Sequence, residues 1–261
     1  MGLPLSVLSS WPLLWLQELL APEFCVLCGQ PKGAVPWWRP ARELRRACGR
    51  DDPHLCQVCW DELRKRDAAR AWLQYGPNRG VVLQGAQHTN PRLVRLVAAW
   101  KYGGLRGAAL PLVGLLRERV GRTDGILVPV PLHSRRRRQR GFNQATVLAA
   151  GLSALSLRSP QGSLEVRENI LRRRRATAQQ ARQKDAAARA RNLAGAFKAT
   201  PAGDAAIPVY VVDDIVTSGA TAAAALACLA EAGWHVAGVL CLGVAVPQAA
   251  SSGSAESPLD G

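Results

Sequence analysis

Val209-Tyr210-Val211-Val212-Asp213-Asp214-Ile215-Val216-Thr217-Ser218-Gly219-Ala220-Thr221 decides how this chain is read. Four apolar, mostly β-branched residues run into two acids, then into a small loop of hydroxyls and glycine. Ala222 to Ala232 follows as an alanine-rich helix that Gly233 stops. A buried strand that ends in a polar loop and restarts as a helix leaves unpaired backbone N–H groups at the helix start. Those groups form a ready anion site. Thr217, Ser218 and Thr221 add hydroxyl donors, and Gly219 lets an anion approach the backbone. Asp213 and Asp214 sit at the mouth. There, acids accept hydrogen bonds from sugar hydroxyls or hold a hydrated Mg²⁺. The stretch reads as a site for a phosphorylated sugar.

The bland alternative is a plain strand-to-turn junction with a capped helix, which any α/β protein has. The full order of apolar run, paired acids, apolar pair, Thr-Ser-Gly-Ala-Thr and helix argues against it. It resembles the phosphoribosyl-pyrophosphate (PRPP) motif of type I phosphoribosyltransferases.

The 261 residues suffice for one substantial core plus a small appendage. Hydrophobic residues make up 48%, a globular share that argues against a disordered chain. Lys plus Arg number 34 against 19 Asp plus Glu, a formal charge of +15 that favours phosphates, on a small substrate or on nucleic acid. Most of the surplus is arginine, which suits bidentate phosphate contact.

Five of the seven cysteines fall between Cys25 and Cys59. Cys25-Val26-Leu27-Cys28-Gly29 and Cys56-Gln57-Val58-Cys59-Trp60 form two tight knuckles. Without a secretory signal, such pairs point to a structural zinc site rather than to disulfides. Cys48 or His54 could replace one ligand, and reduced structural cysteines are the alternative. Residues 1–20 are apolar but lack a basic n-region, and Pro12, Gln17 and Glu18 interrupt them. Leu13 to Leu20 reads as a short amphipathic helix, too short and interrupted for stable membrane insertion, and a cytoplasmic protein is the expectation.

Further along, Asp61 to Ala71 is expected to be helical, and Tyr75-Gly76-Pro77-Asn78 to turn at a domain boundary. A strand is expected at Val81 to Leu83. Helices are expected at Pro91 to Trp100, broken by Lys101 to Gly104, and at Leu110 to Val120. Ile126 to Pro131 reads as a strand that hands over to a cationic loop holding Arg135, Arg136, Arg137, Arg138 and Arg140. A helix from Ala145 to Leu155 follows. Arginines placed where a strand meets a helix favour a phosphate role over a merely solvated face. Leu157 to Glu168 reads as a loop, Asn169 to Leu171 as a short strand, Arg172 to Gln180 as a second basic stretch and Lys184 to Leu193 as a helix. A strand is expected to end near Ala199, with a linker over Thr200 to Pro208. After the motif, Val236 to Val246 reads as an apolar strand, and 248–261 as a disordered Ser-, Ala- and Gly-rich tail.

The order of these pieces closely resembles the ComF family of competence-associated, phosphoribosyltransferase-like proteins. The resemblance rests on the paired cysteines, Lys101-Tyr102-Gly103-Gly104, Val128-Pro129-Val130-Pro131-Leu132 and Arg140-Gly141-Phe142-Asn143-Gln144. It rests also on Arg175, Thr177, Gln179, Arg191-Asn192, Gly195-Ala196-Phe197 and the Asp213-Asp214 motif. It spans about Cys25 to Val246. It implies a type I phosphoribosyltransferase fold, a parallel sheet flanked by helices, over 80–247. It also implies a zinc-ribbon-like segment and linker helix over 25–79, preceded by an apolar helix over 1–24. The family's zinc part often carries more cysteine pairs than this chain does.

The resemblance further implies an association with DNA uptake in natural transformation, and PRPP bound with Mg²⁺. The 5′-phosphate would lie on Thr217, Ser218, Gly219, Ala220 and Thr221, with Asp213 and Asp214 at the ribose hydroxyls. Arg135, Arg136 and Arg140 would face pyrophosphate, and Arg175, Thr177 and Gln179 would lie on a mobile flap. No general base stands out: His88, His133 and His235 are isolated in the sequence. Two functional classes remain. One is a transferase moving phosphoribosyl to a nitrogen acceptor. The other is a non-catalytic module that binds a nucleotide or single-stranded DNA beside a competence helicase.

Overall fold

The consecutive apolar run with buried Val209, Val211 and Val212 buries both faces of a strand, and a strand buried on both faces belongs inside a sheet. The computed structural model places it there. It describes residues 24–29, 55–76, 79–102, 108–120, 124–156, 163–174 and 195–245. The sequence expectations for 1–23, Cys48, His54, Gly103-Gly104, the flap residues Arg175, Thr177 and Gln179, the helix over 184–193 and the tail over 248–261 lie outside these residues.

The strands are β1 (Ala69–Gly76), β2 (Arg79–His88), β3 (Gly125–Pro129), β4 (Leu164–Val166), β5 (Leu171–Arg173), β6 (Phe197–Ala199), β7 (Val209–Val216) and β8 (Val236–Val244). The helices are α1 (Gln57–Arg64), α2 (Pro91–Tyr102), α3 (Ala109–Val120), α4 (Ser134–Arg140), α5 (Gln144–Ser156) and α6 (Ala220–Glu231). Six strands form one sheet in the order β1-β2-β8-β7-β3-β4. All neighbouring pairs are parallel except the β1–β2 hairpin at one edge. The molecule is therefore an α/β protein with a mostly parallel sheet flanked by helices, as expected. A second, two-stranded antiparallel sheet pairs β5 with β6.

Helix α6 packs on β1, β6, β7 and β8. Its Ala222, Ala225, Leu226 and Leu229 share one core with Val209, Val211, Val239 and the hairpin residues Leu171 and Phe197. Helix α5 packs on β3, β4 and β7, and its buried Leu148 and Leu152 stand outside that core. The two helices thus serve the two faces of the sheet. Gly151 of α5 lies against α3, where an added Cβ would meet Val113 Cγ2 at 2.6 Å.

The chain divides into two compact units that do not follow sequence order. The smaller takes residues up to Arg66 together with Pro91–Pro111, and the larger takes Asp67–Asn90 with everything from Leu112. Within the smaller unit, Arg95 Nη1 of α2 donates to the Leu27 carbonyl at 3.0 Å, and Arg92 of α2 lies 3.6 Å from Glu62 of α1.

Four expectations change. The helix expected over 61–71 ends at Arg64, and Ala69–Gly76 is a strand. The boundary expected at 75–78 falls inside the larger unit, where Gly76 of β1 pairs with Arg79 of β2. The arginine loop is the helix α4. The loop read over 157–168 contains β4, paired to β3 from Gly125↔Leu164 to Leu127↔Val166.

Candidate functional site

The site is built by a mismatch in strand length. β3 ends at Pro129, paired with Val212, and Val130 N–H closes the ladder on the Val212 carbonyl at 2.9 Å. β7 runs on through Asp213 to Val216, still paired on its other side with β8. Past Val212, β7 has no strand partner on its β3 side among the described residues. From this point the two chains part: β3 leads through α4 and α5 outward to β4, while β7 leads through α6 to β8 on its other side. A place where neighbouring parallel strands send their crossovers in opposite directions is a crevice at the carboxyl ends, the usual ligand site of open α/β sheets. Asp213 and Asp214 line this end, both half-buried. Local hydrogen bonds fix the acids: Asp214 N–H donates to Asp213 Oδ1 at 2.9 Å, and Ile215 N–H to Asp214 Oδ1 at 2.6 Å.

Thr217 and Ser218 are exposed, whereas Gly219 is buried. Gly219 caps α6 in the left-handed region at φ +72°, with no side-chain cap on the helix. An added Cβ there would come within 2.5 Å of Leu73 Cδ1, so the loop is seated on β1.

The other wall begins with Pro131-Leu132-His133 and enters α4. Gly141 leaves the helix at φ +77°, its N–H on the Arg137 carbonyl at 2.8 Å. Asn143 then does two jobs. Its Oδ1 accepts from Ala145 N–H at 3.2 Å, capping α5, and its Nδ2 donates to the Val130 carbonyl at 3.0 Å, tying that cap to the end of β3. Arg140 Nη1 donates to Gln144 Oε1 at 3.1 Å. The Arg-Gly-Phe-Asn-Gln run is therefore first a device that turns α4 into α5. Of the arginines expected at the site, Arg136 and Arg140 are half-buried, and Arg136, like Asp213, acts on the charge of a further arginine.

The residue that joins them is Arg173 of β5. Burial lowers the pKa of its guanidinium, the charge of Arg136 adds to this, and Asp213 opposes it. Its Cζ lies 5.4 Å from the centroid of the Phe197 ring on β6. Within the basic stretch, the sequence reading fixed on Arg175. The missed signal is period two: Leu171 is buried, Arg172 exposed and Arg173 half-buried, which puts Arg173 on the inward side with Leu171. Behind the acids, burial first and then the charges of Asp213 and Asp214 push the Cys241 thiol well above its ordinary range, so it is no nucleophile.

The second centre is the cysteine cluster of the smaller unit. The sulfurs of Cys25, Cys28, Cys56 and Cys59 all lie within 4.8 Å of one another, with Cys28 Sγ 3.8 Å from Cys56 Sγ. A tetrahedral zinc–thiolate centre requires sulfurs roughly 3.8 Å apart, so the donor set fits zinc. Gly29 at φ +72° closes the first knuckle with its N–H on the Cys25 carbonyl at 2.8 Å, and Cys56 caps α1 in the second. Burial pushes the Cys25 thiol up, but backbone N–H groups of Cys56, Cys28 and Leu27 outweigh it and hold it at about 6. Burial and neighbouring sulfurs push Cys59 up, and burial dominates the rise at Cys56. Close thiols that resist common ionisation are what a divalent cation relieves.

Among the described residues no helix is long and apolar enough to cross a membrane. Comparison with known proteins found no family model and no curated protein that matches this chain.

Proposed function

We propose that this chain is a ComF-like, type I phosphoribosyltransferase-like protein that binds PRPP with Mg²⁺ and transfers the phosphoribosyl group to a nitrogen acceptor. The observation that carries the reading is the crevice beyond Pro129. It brings two acids, a glycine-capped helix start and an arginine-bearing wall to one end of a parallel sheet. Each part suits one part of the ligand. The loop Thr217 to Thr221 would hold the 5′-phosphate on backbone N–H groups and hydroxyls. Asp213 and Asp214 would accept the 2′- and 3′-hydroxyls of ribose, and Arg136 would face the diphosphate. Mg²⁺, when bound, supplies charge neutralisation of the leaving diphosphate. In such transfers the nitrogen attacks the anomeric carbon, the carbon–oxygen bond to pyrophosphate breaks, and an oxocarbenium-like state lies between. The protein's work is then to hold, orient and exclude water, and each well-placed donor contributes about 3 kcal/mol. The cysteine cluster would hold zinc and organise the smaller unit. A role in DNA uptake in the cytoplasm belongs to the same reading.

Calorimetric titration with PRPP and Mg²⁺ tests it. Saturable binding is expected in the wild type and is lost in Asp213→Asn/Asp214→Asn. A well-folded wild type that does not bind sinks the transferase.

A second reading, a non-catalytic module for a nucleotide or single-stranded DNA beside a competence helicase, has its own support. Trp72, 69% exposed, stands on the outer side of β1 two residues from exposed Arg70, in a chain of charge +15. Aromatic rings beside arginine stack bases. Oligonucleotide binding that weakens steeply with salt and is reduced in Trp72→Ala would favour this reading.

A further inference from the structure

We infer that Arg95 of α2 is a positioning residue of the metal centre: its bond to the Leu27 carbonyl holds the first cysteine knuckle in metal-binding shape. Helix α2 is thereby part of that centre. The inference rests on reading the cysteine cluster as a zinc site, and it names a residue that stands outside both knuckles.

The two halves of the cluster are far apart in sequence, Cys25 and Cys28 in one, Cys56 and Cys59 in the other. Each is shaped locally, by Gly29 N–H on the Cys25 carbonyl at 2.8 Å and by Trp60 N–H on the Cys56 carbonyl at 3.0 Å. Helix α2 reaches both. Arg95 Nη1 donates to the Leu27 carbonyl at 3.0 Å. One turn earlier, Arg92 Nη1 lies 3.6 Å from Glu62 Oε2 of α1, the helix that carries Cys59. The helix is seated by its other side, where Leu93, Leu96, Val97 and Trp100 are buried. An arginine on a seated helix is a fixed donor.

The bond falls at a sensitive place. The Leu27 carbonyl and the Cys28 N–H belong to one planar peptide unit. That N–H is among the donors to the Cys25 sulfur. A cation on the oxygen polarises the unit and strengthens what its N–H gives. Four thiolates on a divalent cation leave an excess of negative charge, and Arg95 brings a permanent positive charge to it across one peptide. Partners of this kind orient metal ligands and carry about tenfold or more of metal affinity. The two arginines differ. Arg95 is bonded to the knuckle itself, whereas the Arg92 pair is long and its side chains are 45% and 42% exposed, so it contributes little.

The test uses the full chain loaded with zinc and a chromophoric chelator that competes for the metal. Arg95→Met is expected to weaken zinc roughly tenfold, and Arg92→Met by less than about twofold. Arg95→Lys, which still donates an N–H to the carbonyl, should recover most of the loss. Cobalt(II) in place of zinc reads the shape of the centre: its ligand-field bands should shift in Arg95→Met and hold in Arg92→Met. Hydrogen exchange of the wild type serves if Arg95→Met does not fold, and stripping the metal should speed exchange along α2. An Arg95→Met chain that holds zinc like the wild type, with unmoved cobalt bands, overturns the inference and leaves the zinc site standing. Equal losses in Arg95→Met and Arg92→Met overturn it too, because charge alone then accounts for them. So does an α2 whose exchange is indifferent to the metal. A wild type that binds no zinc sinks the site and the inference together.

Discussion

Gly219 carries two constraints at once. Its φ of +72° lies in the left-handed region, where a side chain costs about 1–2 kcal/mol. A Cβ would also press on Leu73 Cδ1, 2.5 Å away, although the tip of a leucine can turn aside. The backbone term therefore dominates. Gly219→Ala should lower stability by about 1–2 kcal/mol in urea unfolding, and Leu73→Ala in the same chain should not restore it. Under the proposed function, the affinity for Mg²⁺-PRPP should fall with it, because Gly219 sets the backbone that enters α6. Asp213 belongs to the same scale. Its carboxylate serves Asp214 N–H as well as the crevice, so Asp213→Asn keeps the oxygen acceptor and is the milder probe of charge alone.

At the scale of elements, the contact of α5 with α3 sets two effects against each other. Gly151→Ala gains about 1 kcal/mol of helix propensity. The added Cβ, however, meets both methyls of Val113 at 2.6 and 2.7 Å, and overpacking of that kind costs about 1–3 kcal/mol. The packing term wins. Gly151→Ala should lower the thermal midpoint, and Gly151→Ala/Val113→Ala should lose less than Val113→Ala and Gly151→Ala summed. Elements of this kind also show what a sequence discloses. β7, β8 and α6 were legible because their apolar runs are long and Gly233 marks the stop of α6. β1 was not: Arg70, Trp72 and Gln74 on its outer side broke the apolar pattern, and the neighbouring turn drew attention to a boundary. α4 was hidden because SRRRRQR has no apolar face to give a period. β4 is three residues at a sheet edge, too short to alternate visibly. The paired acids and the Thr-Ser-Gly loop were legible as a motif, whereas Arg173 needed the fold to bring it near Asp213.

For the molecule as a whole, the cysteine cluster and the charge make separate predictions. The purified chain should carry one zinc per molecule by elemental analysis, and Cys28→Ser should lose it. Binding needs thiolates, so affinity should fall as pH falls, since protons then compete with the metal. Chelation should expose the tryptophan of the second knuckle, Trp60, now 2% exposed, with a red shift of its fluorescence. The order of strands has a consequence for how the protein is made. β8 lies between β2 and β7, pairing Val82 with Gly238 and Val211 with Val239. On a translating ribosome, the early hairpin β1–β2 must wait, one edge bare, until nearly all the described chain has emerged. Only then can β8 slide into the middle and join the two halves. Nascent chains stalled before Val236 should therefore recruit chaperones, while those stalled well beyond Ala245 should resist protease.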